Sequence, residues 1–445
     1  MIEASPEVVA VVMTAALVAG VATGFPLGLV LAGVAMGSGL VFWSPVVFSI
    51  FYERLFNTTT NYTFLAVPLF IFMGVMVERS GVSNKLFGTL YLWLGGLRGG
   101  LAIATVWFGT ILAATVGVIA ASVTMLGLIA LPAMLERGYG KEISTGACCS
   151  GGSLGILIPP SIMLIFYGPM ANISVGKLFM AAFIPGLVLS ALYSVYIAGR
   201  CILHPQEGPP MPREERARVS LPRKLWLLMT SLLPPVVLIL AVLGSIFFGI
   251  AAPTEAAAVG ATAAVLMAAA YRALNWRAVK ETIFRTASTF SMVFIVVLGA
   301  QFFIGVFLGL GCGDVVAEFI IEAPGGRWGS FIMVMLIVFV LGMFIDWIGI
   351  VLIVVPIVSP IAPELGFDPL WFAMMIIVNL QMSFLSPPFA YAIFFLKAVT
   401  TKEMNIDTMH IIRGVIPFIG LIAIGLLLMI AFPEIISWLP GKMIK

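Results

Sequence analysis

Between Val8 and Phe432 the chain returns repeatedly to apolar stretches with few or no charges, most of them about long enough to cross the hydrocarbon core of a bilayer as a helix. In lipid the backbone polar groups must be satisfied inside each segment, so these runs are expected to be helical. Composition agrees: 61% of the 445 residues are hydrophobic and only 10% are charged, with 33 Phe and 24 Met spread along the whole length. No soluble domain of this size needs that much apolar surface, so the solvent of this chain is the lipid bilayer. The formal net charge is only +3, and the basic residues fall in short clusters between apolar runs instead of forming a stripe. Nucleic acid is therefore a poor candidate partner, and none is expected. Cys148, Cys149, Cys201 and Cys312 lie in or beside apolar runs without metal-type spacing and are expected to serve as small hydrophobes. The N-terminus carries Glu3 and Glu7 in place of Lys or Arg, and its apolar run continues past Pro26 without a small-residue cleavage site. It reads as a first transmembrane helix, not a cleaved signal.

The breaks in the apolar pattern recur. Pro159-Pro160 and Pro387-Pro388 stand 228 positions apart in similar contexts, Ile156-Leu157-Ile158-Pro159-Pro160-Ser161 and Phe384-Leu385-Ser386-Pro387-Pro388-Phe389. At nearly the same offset Leu131-Pro132 falls on Ser359-Pro360, and Thr23-Gly24-Phe25-Pro26 falls near Ala251-Ala252-Pro253-Thr254. Three matches in register point to an internal repeat of the kind found in secondary transporters.

Each half then has the same plan. Residues 1–204 are expected to hold helices at about 8–24, 26–43 and 62–79, amphipathic or short segments near 46–60 and 84–96, and a re-entrant hairpin at about 101–136. A helix broken by Pro159-Pro160 follows at about 142–168, then a helix at about 177–203. Residues 205–224 form a hydrophilic linker whose Pro-Gln-Glu-Gly-Pro-Pro composition predicts mobility. Residues 225–445 repeat the plan: helices at about 226–250, 254–271 and 289–310, an amphipathic segment near 312–322, and a hairpin at about 328–363 with its tip near Asp346. A broken helix at about 369–397 and a last helix at about 410–432 complete it. The fold class is thus an all-α polytopic membrane protein of two repeats.

Counting each hairpin as returning to its own side gives ten crossings. With the N-terminus outside, the cytoplasm receives Arg79, Lys85, Arg98, Arg137, Lys141, Arg213, Arg216, Arg218, Arg223, Lys224, Arg272, Arg277, Lys280, Arg285, Lys397 and Lys402. The outside receives only Arg54, Lys177, Arg327, Lys442 and Lys445, an asymmetry that satisfies the positive-inside rule. Five crossings per half make the second repeat inverted with respect to the first. One hairpin then enters from each side, which suits alternating access.

Chemistry is expected at the breaks. Each Pro-Pro removes backbone donors inside an apolar segment and leaves carbonyls without helical partners, a cost of several kcal/mol per group in lipid unless something binds them. Carbonyl oxygens there, with the hydroxyls of Ser153, Ser383 and Ser386, can make an all-oxygen site for a hard monovalent cation, and the following half-helix aims its N-terminus at an anion. A simple packed kink is the plainer reading of either break alone. Asp346 is an acid inside Val340-Leu341-Gly342-Met343-Phe344-Ile345-Asp346-Trp347; it is either a cation ligand or proton site, or a structural hydrogen-bonded tip. Its counterpart, Ala114-Thr115-Val116-Gly117, has no acid, so a first cation site would rest on neutral oxygens. Glu255 after Thr254 suits either helix capping or a transport role. Ser161, Tyr167, Asn379 and Gln381 either contact substrate or satisfy one another. Substrate binding is expected near the bilayer midplane between the two breaks, with Thr124 and Ser386 beside it.

Other chemistries find no support. No Walker-type phosphate loop is present, because Gly140-Lys141 is preceded by Leu135 and followed by Glu142. His204 and His410 sit at predicted helix ends and form no metal set. No nucleophile, base and metal can be assembled, so the chain is not expected to be an enzyme, and no cofactor is expected. The competing class is a channel or a self-sufficient carrier for small solutes.

Four stretches carry a resemblance: Leu131-Pro132-Ala133-Met134-Leu135-Glu136-Arg137-Gly138-Tyr139; Gly155-Ile156-Leu157-Ile158-Pro159-Pro160-Ser161; Ile173-Ser174-Val175-Gly176-Lys177-Leu178-Phe179 with Ile184-Pro185-Gly186; and Ile250-Ala251-Ala252-Pro253-Thr254-Glu255-Ala256-Ala257-Ala258-Val259-Gly260. They run through both halves and resemble the large membrane (DctM-like) subunits of TRAP, tripartite ATP-independent periplasmic, transporters. The resemblance implies a multi-pass permease of the bacterial inner membrane, working as an elevator-type importer of organic acids, of the C4-dicarboxylate or 2-oxo or hydroxy monocarboxylate type, with Na⁺ as coupling ion. It implies a periplasmic substrate-binding protein and a small four-helix membrane subunit as partners. The family's sodium sites map here onto Thr115, Gly117, Ser122 and the stretch from Gly155 to Pro159 in the first half, and onto Asp346, Ser383 and Ser386 in the second. Where many members have a Ser-Gly-Ser-like tip this chain has Val116-Gly117-Val118, and its run from Ala120 to Met125 is similar to the branch associated with mannitol, chloroaromatic and 2-oxo acid systems.

Overall fold

A computed structural model describes residues 4–212, 214–215 and 219–443. Arg213, Arg216, Arg218 and Lys445, placed by the charge argument, and Glu3 lie outside the described residues. Every regular element among the described residues is helical. Helices α1 (Pro6–Ala22), α2 (Leu27–Phe42), α3 (Val47–Thr59), α4 (Ala66–Arg79) and α5 (Val82–Leu94) lead to a pair, α6 (Gly100–Val116) and α7 (Ile119–Glu136). Next come α8 (Lys141–Ser153), a 3₁₀ turn at Leu154–Ile156, α9 (Ile162–Ala171) and α10 (Val175–Leu203). Beyond the linker are α11 (Leu221–Ser231), α12 (Leu233–Phe247), α13 (Pro253–Ala270), α14 (Trp276–Gly309) and α15 (Cys312–Ile321). Then follow α16 (Gly326–Gly342), the three short pieces α17 (Trp347–Ile353), α18 (Val355–Val358) and α19 (Ile361–Glu364), α20 (Pro369–Leu385), α21 (Tyr391–Val399), α22 (Thr408–Ala431) and α23 (Glu434–Ser437).

Among the described residues, seven helical stretches are long and apolar enough to cross a membrane. They are Tyr62–Arg79, Ile119–Glu136, Val175–Leu203, Leu221–Phe247, Pro253–Ala270, Trp276–Gly309 and Thr408–Ala431. The protein is a multi-pass membrane protein. Helix α7, the second arm of the expected re-entrant hairpin at about 101–136, is one of the seven. Helices α1 and α2 are apolar but shorter, and the two helices with Pro-Pro breaks are in pieces.

Three expected elements differ from the sequence reading. The helix expected from 289 begins instead at Trp276, because the Asn275 side chain caps the amide of Ala278 and an Arg277–Glu281 pair one turn apart supports the polar first turns. The span expected at 226–250 is two helices meeting at Leu232, ahead of Pro234 and Pro235. The second arm of the later pair is cut into α17, α18 and α19 by Pro356, Pro360 and Pro363.

Small residues set the closest helix crossings, as van der Waals packing in lipid favours. At the α2–α14 seam a Cβ added to Gly299 would stand 2.1 Å from the Gly28 carbonyl oxygen. Gly109 of α6 meets the backbone of Gly151 in α8, and Gly146 of α8 meets that of Gly414 in α22. Helix α4 lies reciprocally against α13, and α8 is enclosed by α6, α7 and α22.

The linker is not free where composition predicted mobility. Gly99 N–H donates to Gly208 O (2.9 Å), Gly140 N–H to Glu207 O (2.9 Å) and Met211 N–H to Gly95 O (2.7 Å). Arg200 pairs with Glu207 (2.6 Å) and Glu142 (3.3 Å), and Arg137 pairs with Glu215 (2.6 Å). A Cβ on Gly208 would stand 2.4 Å from Cys201 Sγ and 2.9 Å from Gly99 Cα, so a glycine is what lets the strand seat there. The linker is a clasp across the base of the α6–α7 pair.

Candidate functional site

The α6–α7 pair is a helical hairpin. Its base is closed by the Leu101 N–H donating to the Tyr139 hydroxyl (3.1 Å), and its two-residue tip turns at Gly117, whose φ of +66° is the left-handed region that favours glycine. The tip rests on the first proline break: a Cβ on Gly117 would lie 3.1 Å from the Pro160 carbonyl oxygen, and one on Gly155 would lie 3.0 Å from Ser122 Oγ. Gly117, Ser122, Gly155 and the Pro159-Pro160 turn, four parts of the expected first cation site, therefore sit together. Thr115 is buried beside them, with its hydroxyl donating to Leu112 O at 3.0 Å and its lone pairs still open. Ser122 Oγ is buried with no hydrogen-bond partner among the described residues. The Ser153 hydroxyl instead donates within its own helix, to Ser150 O at 2.9 Å. The carbonyls of Ile158, Pro159 and Pro160 accept no hydrogen bond from the described residues. The result is a small concentration of underused oxygens.

The second break has the same relation to the tip that precedes it. Phe389 N–H donates to Met343 O (3.3 Å), Ser383 Oγ donates to Phe339 O (3.2 Å), and a Cβ on Gly342 would lie 2.6 Å from Ser383 Oγ. Ser386 Oγ donates to Met382 O at 2.8 Å. Asp346 is half-buried at the start of α17; its carboxylate faces the amides of Trp347 and Ile348 without closing a capping hydrogen bond, and it has no ion-pair partner among the described residues. Tyr391, the first residue of α21, lies within its electrostatic reach. Tyr391 was not singled out in the sequence; the available signal was its place three residues after Pro388, where a half-helix begins.

Each half-helix that follows a break packs on the other hairpin. Phe166 of α9 meets the Trp347 ring with centroids 6.3 Å apart, while Leu396 and Val399 of α21 cover Gly127 of α7. Cys149 of α8 lies against Ala392 of α21, Sγ to carbonyl oxygen 3.6 Å.

The expected substrate residues scatter more. The Ser161 hydroxyl donates back to Ile156 O and is fully buried, so α9 can offer an anion its backbone N–H groups but not this hydroxyl. Asn379 donates to Met335 O at 2.7 Å and ties α20 to α16. Gln381 and Tyr167 are buried with polar atoms unpartnered among the described residues, so they do not satisfy each other. Thr124 is half-buried on α7. Glu255 is exposed and accepts from the Ala252 N–H (2.8 Å), which makes it a helix cap, whereas the Thr254 hydroxyl, expected to cap, is buried without a partner among the described residues. Two apolar spaces flank these groups. One of about 140 Å³ behind the second hairpin is walled by residues such as Leu17, Phe303, Leu341 and Ile350, and one of about 510 Å³ lies between Trp107, Phe183 and Leu232. Such walls cannot recognise an anion.

The sequence from residue 13 to 435 matches the family model described as the DctM component of the tripartite ATP-independent periplasmic transporter. The large permease protein of a C4-dicarboxylate TRAP transporter from Pseudomonas aeruginosa is 32% identical, covering 87% of this chain and 88% of that protein. A sialic acid TRAP transporter large permease protein from Vibrio cholerae is 27% identical over 93% of this chain and 96% of its own length. Among solved structures, the YdaH transporter of Alcanivorax borkumensis superposes with a TM-score of 0.60 over 95% of this chain and 99% of its own at 13% identity, a likeness of fold alone. The relatives are transporter permeases and not enzymes, and a match across nearly the whole chain shows that this protein belongs to the DctM family of TRAP transporter large permeases.

Proposed function

We propose that the chain is the membrane pathway of a Na⁺-coupled importer of small organic acids in the bacterial inner membrane, with its N-terminus in the periplasm. A periplasmic binding protein delivers the substrate, and a small four-helix membrane subunit completes the assembly. The observation that carries this reading is the pairing of each Pro-Pro break with a hairpin tip, one with neutral oxygens around Ser122 and one with the lone acid Asp346. Unwound carbonyls, hydroxyl lone pairs and one carboxylate suit Na⁺, and the half-helix N-terminus at Ile162 supplies partial positive charge for a carboxylate. The matching order of elements in the two halves and the reciprocal packing of α2 on α14 and α4 on α13 support two inverted repeats moving as an elevator. The names of the two relatives, one for C4-dicarboxylates and one for sialic acid, favour an anionic organic acid as cargo.

The test is uptake of labelled succinate and sialic acid by proteoliposomes holding the permease with its two partners. A Na⁺ gradient is expected to drive accumulation, unlabelled substrate inside is expected to accelerate entry of label, and the permease alone is expected to give little uptake. Flux indifferent to Na⁺ and without counterflow would identify a channel; full activity without partners would identify a self-sufficient carrier.

Ser122 offers a second check. An orphan buried hydroxyl that is merely tolerated should cost stability, so Ser122→Ala would be neutral or stabilising. As a cation ligand, its loss is expected to raise the Na⁺ concentration for half-maximal uptake about tenfold, the effect of about 1.4 kcal/mol. Unchanged Na⁺ dependence in Ser122→Ala would remove it from the site.

A further inference from the structure

Arg54 occupies an unusual position for a cation in this chain. It projects from the amphipathic α3 onto α14, where its stem fills the space over Gly305: a Cβ added there would be 3.2 Å from Arg54 Nε. Its Nη1 lies 3.5 Å from Oε1 of Gln301, a residue 7% exposed, and Gln301 Nε2 lies 3.3 Å from Met170 Sδ near the end of α9. The Arg54 side chain is half-buried, and no carboxylate among the described residues lies within 4.0 Å of an Arg54 nitrogen. By contrast Arg79, Arg137, Arg277 and Arg285, on the side assigned to the cytoplasm, have acid partners. Gln301 stands about two helical turns short of the end of α14 at Gly309, so the guanidinium is set below the helix end instead of projecting past it. Holding an unpaired charge at that depth is costly, and a snorkelling role would turn the side chain the other way.

The position along α9 gives the cation a use. Phe166, which meets Trp347 beside Asp346, lies one helical turn before Met170 on the same helix. Arg54 thus stands about one turn outward of the acid-bearing hairpin tip, between α3 and α14 on one side and α9 on the other. A planar fork of N–H donors, with one turned to an amide oxygen and no carboxylate partner among the described residues, is suited to a carboxylate.

The geometry points to Arg54 as the anion-recognition residue at the outer approach to the site, positioned by Gln301, and selecting for carboxylate-bearing substrates over neutral ones. This rests on the import reading above for its direction and physiological cargo, but the local claim can be tested without any transport. In full-length protein in lipid nanodiscs, Met170→Cys provides a thiol beside the Gln301 amide, and the four native cysteines are buried. Labelling rates are measured with a negatively charged sulfonate-bearing thiosulfonate and with its positively charged trimethylammonium analogue. With Arg54 present the anionic reagent is expected to be favoured; in Met170→Cys with Arg54→Gln the anionic-to-cationic rate ratio is expected to fall about tenfold, as loss of a unit charge a few ångströms away in an intermediate dielectric implies. Arg54→Lys, which keeps the charge, is expected to hold the ratio within about threefold of Arg54 itself. A ratio unchanged by Arg54→Gln, or lowered equally by Arg54→Lys, overturns the assignment. In the assembled transporter, Arg54→Gln is expected to raise KM for succinate about tenfold while leaving the maximal rate and the Na⁺ dependence within about twofold. A lower maximal rate with unchanged KM would show a packing role and overturn it. If the wild-type protein takes up no organic acid while the reagent ratio still falls, the import reading fails and the anion site stands.

Discussion

Asp346→Asn is expected to reduce Na⁺-driven uptake at least about a hundredfold while leaving the amount of folded protein in the membrane unchanged. The side chains are nearly the same shape, and among the described residues Asp346 makes no ion pair or capping hydrogen bond whose loss would unfold the tip. What changes is the charge offered to a cation beside an apolar hairpin. Removing one member of a buried charge pair costs about 3–5 kcal/mol, and each 1.4 kcal/mol is about tenfold in affinity. Purified Asp346→Asn in proteoliposomes with its partners, compared with wild type at equal protein over a range of external Na⁺, gives the answer. Wild-type uptake and an unaltered Na⁺ dependence at matched reconstitution would assign Asp346 a purely local role at the start of α17.

A second large effect is expected at a helix seam, from packing alone. Gly299→Leu should abolish recovery of monodisperse protein, and Gly299→Ala should already lower its thermal transition. The reason is the α2–α14 seam, where even a single methyl at Gly299 would lie 2.1 Å from the Gly28 carbonyl oxygen, a backbone atom that cannot swing aside. Separating two long helices to admit a side chain forfeits contacts along the whole seam, and overpacking costs typically about 1–3 kcal/mol and more where backbone must move. Gly33→Ala on the same helix α2, where an added Cβ meets nothing within 4 Å, is the control and should behave as wild type. Equal yields and transitions for Gly299→Leu and Gly33→Ala would mean that the seam is looser than drawn.

The features that were legible in the sequence are those with local causes. Proline removes a donor wherever it stands, so Pro159-Pro160 and Pro387-Pro388 announced their breaks, and lone apolar runs announced the helices between them. The residues expected at the first cation site came together for the same reason, since Gly117 and Gly155 mark a tight turn and a close approach. What the sequence did not disclose depends on contacts between distant positions. The clasp at Gly208 reads as hydrophilic spacer by composition, because the Gly99 amide and the Cys201 side chain that receive it lie elsewhere in the chain. The first turns of α14 do not show as part of an apolar run because Arg277, Lys280, Glu281 and Arg285 lower its hydropathy, although charges at helical spacing support one another in water. The commitments of Ser161 and Asn379 to Ile156 O and Met335 O could not be foreseen either, since a hydroxyl or amide in an apolar run shows its chemistry but not its partner.

The clasp also bears on how such a protein could be inherited in pieces. Its contacts are made by Glu207, Gly208, Met211 and Glu215, all of which return to residues of the first half, and the next described helix begins only at Leu221. A cut in the polypeptide between Glu215 and Leu221 leaves every one of those contacts on a single fragment. Two separate reading frames meeting there would encode halves that each carry their own hairpin and broken helix, and that must find each other through the α2–α14 and α4–α13 surfaces. A break there would turn assembly of the two halves from an intramolecular step into a concentration-dependent one, with the clasp still on the first fragment.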